Sequence, residues 1–383
     1  MTNDDGGVRP TQPAPPSPFA YPAYQSQGYQ HPYPPPGYGP PSYPPPGYGQ
    51  TAYPGYSPPP ALKPGIIPLR PLGLSEIFNA AFAYIRVNPK ATLGLTAVVV
   101  IITQLIVLIF TTVVPLAAYG DTAMSRVQDD STTGLLGTYL SEMVGVVASA
   151  LSGVVLSGML TVVIGRAVFA APITIREAWD RIRGRLAALI GLTLLEGLGA
   201  VLLAAIGVGI ITLSAVASPT LGVLLIFPIL VGLAAVFVFF WTKLSFAPAV
   251  IVLERSRVFG AIGRSFALVR GSFWRVFGIL ILGAIVAQMV AYAVSIPFAV
   301  GALVLGLTSS STGLSLGAMA ILSVGGAIGQ IITAPFTAGI VVLLYTDRRM
   351  RAEAFDLVLQ TGARVETVES ADSTDHLWLT RQP

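Results

Sequence analysis

The stretch RSFALVRGSFWRVFGILIL, residues 264–282, begins with basic and aromatic residues and continues, after Arg275, with apolar residues and one glycine. Phe259, Ile262, Phe266 and Val269 recur at helical spacing, with polar or charged residues on the other faces, which is the pattern of an amphipathic helix. The predominantly apolar run at 276–300 exceeds the ~20 residues that a helix needs to cross a bilayer. This part of the chain therefore predicts a short surface helix that leads directly into a membrane span.

The composition of the whole chain indicates a polytopic membrane protein. Its 383 residues are 53% hydrophobic and only 10% charged, with a mean hydropathy of +0.72. Soluble domains carry about 25% charged residues, so the surface that would face water is missing. Six runs are long enough to cross a bilayer, at about 91–114, 144–167, 187–212, 221–243, 276–300 and 317–342.

The distribution of basic residues orients these six spans. Six spans place both termini, the connection between spans 2 and 3 and the connection between spans 4 and 5 on the same side of the membrane. These segments hold 21 of the 22 Lys and Arg residues. Only Arg126 falls on the other side, in a loop that also holds acidic residues. Since cytoplasmic loops carry the excess of Lys and Arg, both termini are predicted to be cytoplasmic.

Three segments of the chain align as a repeat, each with an arginine, an aromatic residue four positions earlier and a glycine eight positions later. The aligned sets are Arg86, Arg183 and Arg270; Phe82, Trp179 and Phe266; Gly94, Gly191 and Gly278. Each copy has an Ala-Pro pair at the cytoplasmic end of its second span, and 57 residues separate Gly191 from Pro248 and Gly278 from Pro335.

The predicted fold is therefore an all-α membrane protein of six transmembrane helices, arranged as three parallel hairpin repeats. A cytoplasmic interfacial amphipathic helix precedes each hairpin. Because each copy contains two spans, all three copies have the same orientation in the membrane. Many transporters use inverted repeats instead, so this arrangement favours a transporter less. Three regions are predicted: a tail at 1–64, the membrane domain at 65–346 and a short cytoplasmic C-terminal tail at 347–383.

The interfacial helices are the first candidate functional surface. Their apolar stripes would enter the acyl boundary while arginines meet anionic head groups, each contributing about 1 kcal/mol. Tryptophan at the same level is typical of the membrane–water interface. The candidate lipid-interface residues are Arg86, Arg183, Arg270, Trp179 and Trp274. The alternative is that these helices only brace the bundle.

Residues 1–64 hold 20 of the 31 prolines and nine of the 14 tyrosines. This composition cannot form a core and predicts a disordered tail with polyproline II character. Two Pro-Pro-Gly-Tyr stretches, at 35–38 and 45–48, match the short ligand of WW domains. The tail is interpreted as an arm for a cytoplasmic protein partner or for self-association, or alternatively as a spacer.

Glu196 is the one carboxylate deep in a predicted span, about 15 Å from its cytoplasmic start. An intramembrane carboxylate is a functional candidate, here for proton or cation passage, so a transporter or channel that uses Glu196 and the kinked spans is the alternative function. Pro228 and Pro297 are the candidate kinks. The structural alternative is a protonated or hydrogen-bonded carboxyl group within the bundle.

The sequence gives little support to catalysis. Cysteine is absent, and the two histidines, His31 and His376, lie in opposite tails. No acid–base pair, nucleophile constellation or metal-ligand cluster is present, so no catalytic, cofactor or metal site is predicted. The basic residues are spread along the interfacial helices, which does not favour nucleic-acid binding.

Three segments resemble a family of uncharacterised actinobacterial six-helix membrane proteins. They are PGIIPLRPLGLSEIFNAAFAYIRVNPKATLGL, SFALVRGSFWRVFGILIL and TAPFTAGIVVLLYTDRRMRAEAFDLVL, of which YTDRRMRAEAFDL is the most specific. Such proteins are commonly labelled as the membrane domain of glycerophosphodiester phosphodiesterase, and the resemblance covers about residues 64–361. It implies a multi-pass protein of a bacterial plasma membrane, and a role in glycerophosphodiester metabolism as a second alternative. The catalytic barrel of those enzymes would need ~250 further residues.

These observations predict a non-enzymatic integral plasma-membrane protein, a lipid-engaging scaffold or accessory component with a cytoplasmic recruitment arm. Its predicted partners are anionic membrane lipids and a cytoplasmic protein or a second copy of the chain, with no cofactor.

Overall fold

The computed structural model describes residues 65–110, 132–169, 171, 173–308, 312–359 and 377–379. The predicted tail at 1–64 and most of the acidic loop with Arg126 lie outside these residues. Within them the chain forms helices and no strand. The helices are α1 (Leu74–Val87), α2 (Leu95–Leu108), α3 (Thr132–Ala167), α4 (Ile175–Ile182), α5 (Leu186–Ala217), α6 (Pro219–Leu244), α7 (Ala247–Leu253), α8 (Val258–Val269), α9 (Phe273–Thr308) and α10 (Thr312–Glu353).

The prediction of six helices long and apolar enough to span a membrane is confirmed. They lie within Lys90–Leu108, Met143–Ala167, Ile175–Ala217, Pro219–Leu253, Phe273–Leu307 and Gly317–Glu353. Helices are expected here because hydrocarbon offers no partner to a free backbone N–H or C=O group. The helices α6 and α9 continue across Pro228 and Pro297, respectively.

Three short helices, α1, α4 and α8, each come before a long apolar helix. The start of α4 is fixed by a capping box, since Thr174 accepts from the Glu177 backbone N–H at 3.3 Å and Glu177 accepts from the Thr174 N–H. A single 3₁₀ turn, Arg183–Arg185, joins α4 directly to α5. Gly271, with φ of +78°, makes the turn between α8 and α9, a backbone conformation that favours glycine.

The buried core lies at one end of the long helices. Side chains of α1, the last turns of α3, α7, α8 and the second half of α10 pack together there. The neighbouring helices α2 and α3, α5 and α6, and α9 and α10 also pack against each other. In contrast, α5 and α6 leave almost all of their apolar side chains exposed.

The predicted boundary at 346 falls inside α10, which continues to Glu353. Ala354, with φ of 50°, ends that helix, and residues 355–359 are helical again. Farther along, the Trp378 side chain is buried against the same core. Parts of the predicted C-terminal tail therefore pack with the membrane domain, because polar partners at this end hold them in place.

Candidate lipid interface

All five predicted lipid-interface residues are exposed. Arg86 lies in the last turn of α1, and Trp179 and Arg183 lie in and just after α4. Arg270 caps the C-terminal end of α8, and Trp274 lies in the first turn of α9, where 78% of its surface is accessible. The predicted residues thus share the end of the molecule that holds the buried core.

An aromatic surface lies behind Trp274. The Trp274 ring meets Phe273 and Phe277 edge to face, with centroids 5.5 and 6.1 Å apart. Phe273 also stacks on Phe239 of α6 at 5.8 Å, and the Lys243 ammonium lies 5.9 Å from the Phe239 ring. Aromatic rings beside a cation suit the interface between hydrocarbon and head groups.

The apolar side chains of α1 fall on two faces of the helix, one exposed and one buried. Leu74 and Phe82 are exposed, whereas the fully buried side chains Ile77 and Tyr84 occupy the adjacent face. Phe82 also lies against Phe336 of α10, with centroids 4.6 Å apart. The helix thus presents one face to the protein and a second apolar face outward.

Tyr84 joins α1 to α10 at close range. Its buried hydroxyl donates to the backbone carbonyl of Pro335. A Cβ atom at Gly339, one turn farther along α10, would lie 2.7 Å from the Tyr84 ring, so only glycine permits this approach. Burial raises the pKa of the Tyr84 phenol well above its ordinary value.

Glu196 lies in the first half of α5. Its residue lies on an exposed surface of α5, and within the described ranges it makes no hydrogen bond or ion pair. Both roles predicted for Glu196, in proton or cation passage or as a carboxyl group within the bundle, therefore stay predictions.

A polar site that was not predicted lies around Asp347, near the end of α10. Asp347 of α10 has a fully buried side chain and accepts the Leu72 backbone N–H at 2.8 Å. Arg351 donates to Asp347 at 2.9 Å, and Arg275 donates to it at 3.3 Å. Both arginines also donate to the Leu72 carbonyl at 2.9 Å. We call this group the Asp347 clamp; it fixes the segment that enters α1.

A second group, the Glu254 cluster, comprises Glu254, Arg264, Tyr345, Arg349 and Glu353. The side chains of Glu254 and Arg349 are only 4% exposed and lie 3.8 Å apart. The Tyr345 hydroxyl donates to Glu254 at 2.7 Å, and Arg264 donates to it at 3.2 Å. Glu353 accepts from Arg349 at 3.2 Å and pairs with Arg264. Each buried charge thus has a partner, as desolvation requires.

The carboxylates of this cluster control the charge of Arg264. Burial alone would lower the pKa of its guanidinium, but Glu254 and Glu353 raise it, and the net direction is upward. The neighbouring carboxylates thus favour the protonated form of Arg264, which burial alone would disfavour.

The local signal for both groups was present in TDRRMRAE, residues 346–353. Asp347 and Arg351, and Arg349 and Glu353, stand four residues apart on one helix, a spacing that favours ion pairs. These arginines helped to orient the chain and belong to the segment that resembles the six-helix family, but their ion pairs were not predicted. No local pattern indicates Glu254 as the distant partner of Arg349.

The described residues include no group of three or more His, Asp or Glu side chains placed to hold a metal ion. His31 and His376 lie outside them. Comparison with protein-family models, curated proteins and solved structures finds no match for this chain. The resemblance to the six-helix family therefore stays a prediction.

Proposed function

We propose that this chain is a non-enzymatic integral protein of a bacterial plasma membrane that engages anionic lipid at its cytoplasmic face. In this proposal α1, α4 and α8 lie in the interface and lead three parallel hairpins, with both termini in the cytoplasm. The protein acts as a scaffold or accessory component, and residues 1–64 form an arm that recruits a cytoplasmic partner or a second copy.

The observation that carries the proposal is that exposed aromatic side chains and exposed arginines both occur on or beside these short helices. Phe259 is 80% accessible on α8, whose C-terminal cap is the exposed Arg270. Trp179 and Arg183 are likewise exposed, in and just after α4. In water such aromatic surface would be costly, whereas in the interface the rings are buried and the arginines meet phosphate groups.

The core supports the same placement. The Asp347 clamp and the Glu254 cluster lie at the end that bears the arginines, where head groups and water tolerate charge. Long apolar surfaces of α5 and α6 extend away from it, as lipid-facing helices do.

Lipid selectivity of the full chain tests this proposal. Spin-labelled phosphatidylglycerol and phosphatidylcholine in proteoliposomes report how much of each lipid the protein immobilises. We expect a preference for phosphatidylglycerol that falls in Arg270→Gln, since each interfacial arginine contributes about 1 kcal/mol. Arg126→Gln is the matched control, because it removes the one basic residue from the predicted outer side. Equal immobilisation of both lipids by the unmodified chain would overturn the proposal.

Recruitment by the arm needs its own measurement. The full chain and a variant that lacks residues 1–64 are purified from the same cells, and their co-purifying proteins and oligomeric states are compared. We expect a partner or a higher oligomer only when the arm is present. Identical results for both forms would leave the arm as a spacer.

A further inference from the structure

A cavity of about 560 Å³ lies at the basic end of the protein, beside α4 and behind the surface formed by the exposed arginines. Its walls come from the last turns of α3, the end of α4 with the following 3₁₀ turn, the end of α7, and Trp378. The volume falls within the range of small-molecule sites and exceeds what a single inorganic anion fills. The charged residues that line it are Arg166, Asp180, Arg181, Arg183, Arg185 and Arg255.

The charge of the lining is strongly positive. Five arginines against one aspartate give a net formal charge of +4. Helices α3, α4 and α7 end here, and each carboxyl end carries about −0.5 charge at most. These three ends together contribute roughly −1.5, and α5 begins directly after Arg185 with its positive end. Arg183 pairs with Asp180 at 3.6 Å, and Arg185 and Arg255 are the arginines on which the proposal rests.

Two backbone features position the arginines. Arg185 donates to the backbone carbonyl of Arg255 at 3.1 Å, which ties the turn after α4 to the end of α7. Arg255 itself has φ of 56°, a left-handed conformation that costs energy for a residue with a side chain. Arg255 directly follows the C-cap residue Glu254, so this conformation ends α7 as that of Ala354 ends α10, and it sets the direction in which the chain leaves the helix.

Trp378, one of the residues that line the cavity, is held in place by contacts with its neighbours. The Trp378 carbonyl accepts from Arg349 of the Glu254 cluster at 3.0 Å. Its ring packs against Phe169 and Phe355, with centroids 6.1 and 5.4 Å away. Because Glu254 directly precedes Arg255, the same buried cluster supports both Trp378 and Arg255.

We infer that this cavity binds one phosphate-bearing anionic group together with the small polar body attached to it. Guanidinium groups bind phosphate oxygens with paired, charge-assisted hydrogen bonds, and the apolar side chains of Val252 and Leu253 lie beside them in the lining. Two sources share this chemistry: the head group of an anionic lipid and a soluble phosphate ester. This inference goes beyond the proposed lipid interface, since it names a single saturable site with one ligand per chain.

Titration calorimetry of the full chain in a non-ionic detergent tests the inference. The probes are dioctanoyl phosphatidylglycerol for the lipid source, sn-glycerol 3-phosphate for the soluble source and dioctanoyl phosphatidylcholine as the neutral control. We expect saturable binding of one anionic probe per chain. Arg255→Gly and Arg185→Gln should each weaken it about tenfold or more, the usual effect of a lost charged hydrogen bond.

The control Arg257→Gln removes the same charge two residues away, from an exposed position outside the cavity. It should leave the affinity within about twofold. Thermal unfolding without ligand separates binding from folding, because glycine accepts the backbone conformation of Arg255. Arg255→Gly should therefore keep or raise the melting temperature while it loses the ligand.

Each outcome has a fixed meaning. Binding of phosphatidylglycerol alone assigns the site to a lipid head group, and binding of glycerol 3-phosphate that competes with the lipid assigns it to soluble esters. Absence of saturable binding, unchanged affinity in both cavity variants, or an equal loss in Arg257→Gln overturns the inference. The lipid preference at Arg270 is measured separately, so either proposal can fail without the other.

Discussion

Asp347 accepts the backbone N–H of Leu72 across 275 residues of chain, at 2.8 Å. The contact holds together the segment that enters α1 and the last helix, α10. Arg275 and Arg351 both donate to the same carboxylate and to the Leu72 carbonyl, so one buried carboxylate binds three donor groups. The ends of the membrane domain are therefore joined by polar contacts as well as by apolar packing.

Asp347→Asn is expected to destabilise the protein by about 2–3 kcal/mol. Removing one partner of a buried ion pair leaves the other charges uncompensated, although Arg275 and Arg351 are partly exposed and recover some hydration. Thermal unfolding in detergent measures the change. Asp356→Asn is the control, because Asp356 makes no ion pair within the described residues, and it should stay within about 0.5 kcal/mol. Equal melting temperatures for both variants would contradict the role of the clamp.

Glu254→Gln is expected to cost more than Glu353→Gln, although both remove one carboxylate from the same cluster. The Glu254 side chain is almost fully buried and serves Tyr345, Arg264 and Arg349, whereas the Glu353 side chain is partly exposed. We expect about 3 kcal/mol for the first variant and roughly 1 kcal/mol for the second. Chemical denaturation of both proteins in the same detergent compares them. The reverse order would show that Arg349 depends mainly on Glu353.

Tyr84→Phe is expected to lose about 1 kcal/mol, the value of one buried neutral hydrogen bond. The matched control is Tyr292→Phe, since Tyr292 is exposed and should not change stability. A steric effect at the same contact is expected from Gly339→Ala, whose methyl group would meet the Tyr84 ring. A Tyr84→Phe protein as stable as the unmodified chain would argue against this contact.

The Tyr84 phenol also predicts a pH dependence. Because burial raises its pKa, the folded state keeps the proton at a pH where the unfolded chain has lost it. Its contribution to stability is complete below the unfolded pKa of ~10 and falls as the pH rises above that value. Unfolding measured on the alkaline side should show this slope, and the slope should be smaller in Tyr84→Phe. Identical slopes for both proteins would contradict the raised pKa.

The six spans could be predicted from the sequence because lipid imposes one local requirement, a helix of apolar residues. Exposure of Arg270 and Trp274 followed from local patterns in the same way. The pairs that organise the buried core could not be predicted, because Glu254 meets Tyr345 across 91 residues and Leu72 meets Asp347 across 275. Local periodicity contains no information about which distant charge will satisfy a buried one.

The arginine-lined cavity shows the same limit. Arg183 was predicted to meet lipid from its place in a repeat, whereas Arg166 was not among the predicted site residues. Folding brings both to one cavity with Arg255, whose conformation depends on the end of α7. A site assembled from three helix ends and Trp378 has no contiguous sequence motif.

The orientation of the chain is tested by single cysteines, which the natural absence of cysteine makes straightforward. Gly260 on α8 is exposed with open space at its Cβ position, and Thr220 is exposed at the start of α6. With 21 of 22 basic residues on one side, Gly260→Cys should react with an impermeant maleimide only after the cells are opened.

Thr220→Cys, at the connection between α5 and α6, should react in intact cells. Because the two positions lie at opposite ends of the second pair of spans, their labelling must differ if these helices cross the bilayer. Labelling of Gly260→Cys in intact cells would place the arginine-rich end outside. The anionic lipid and the phosphate group proposed for that end would then have to come from the outer leaflet or from the exterior.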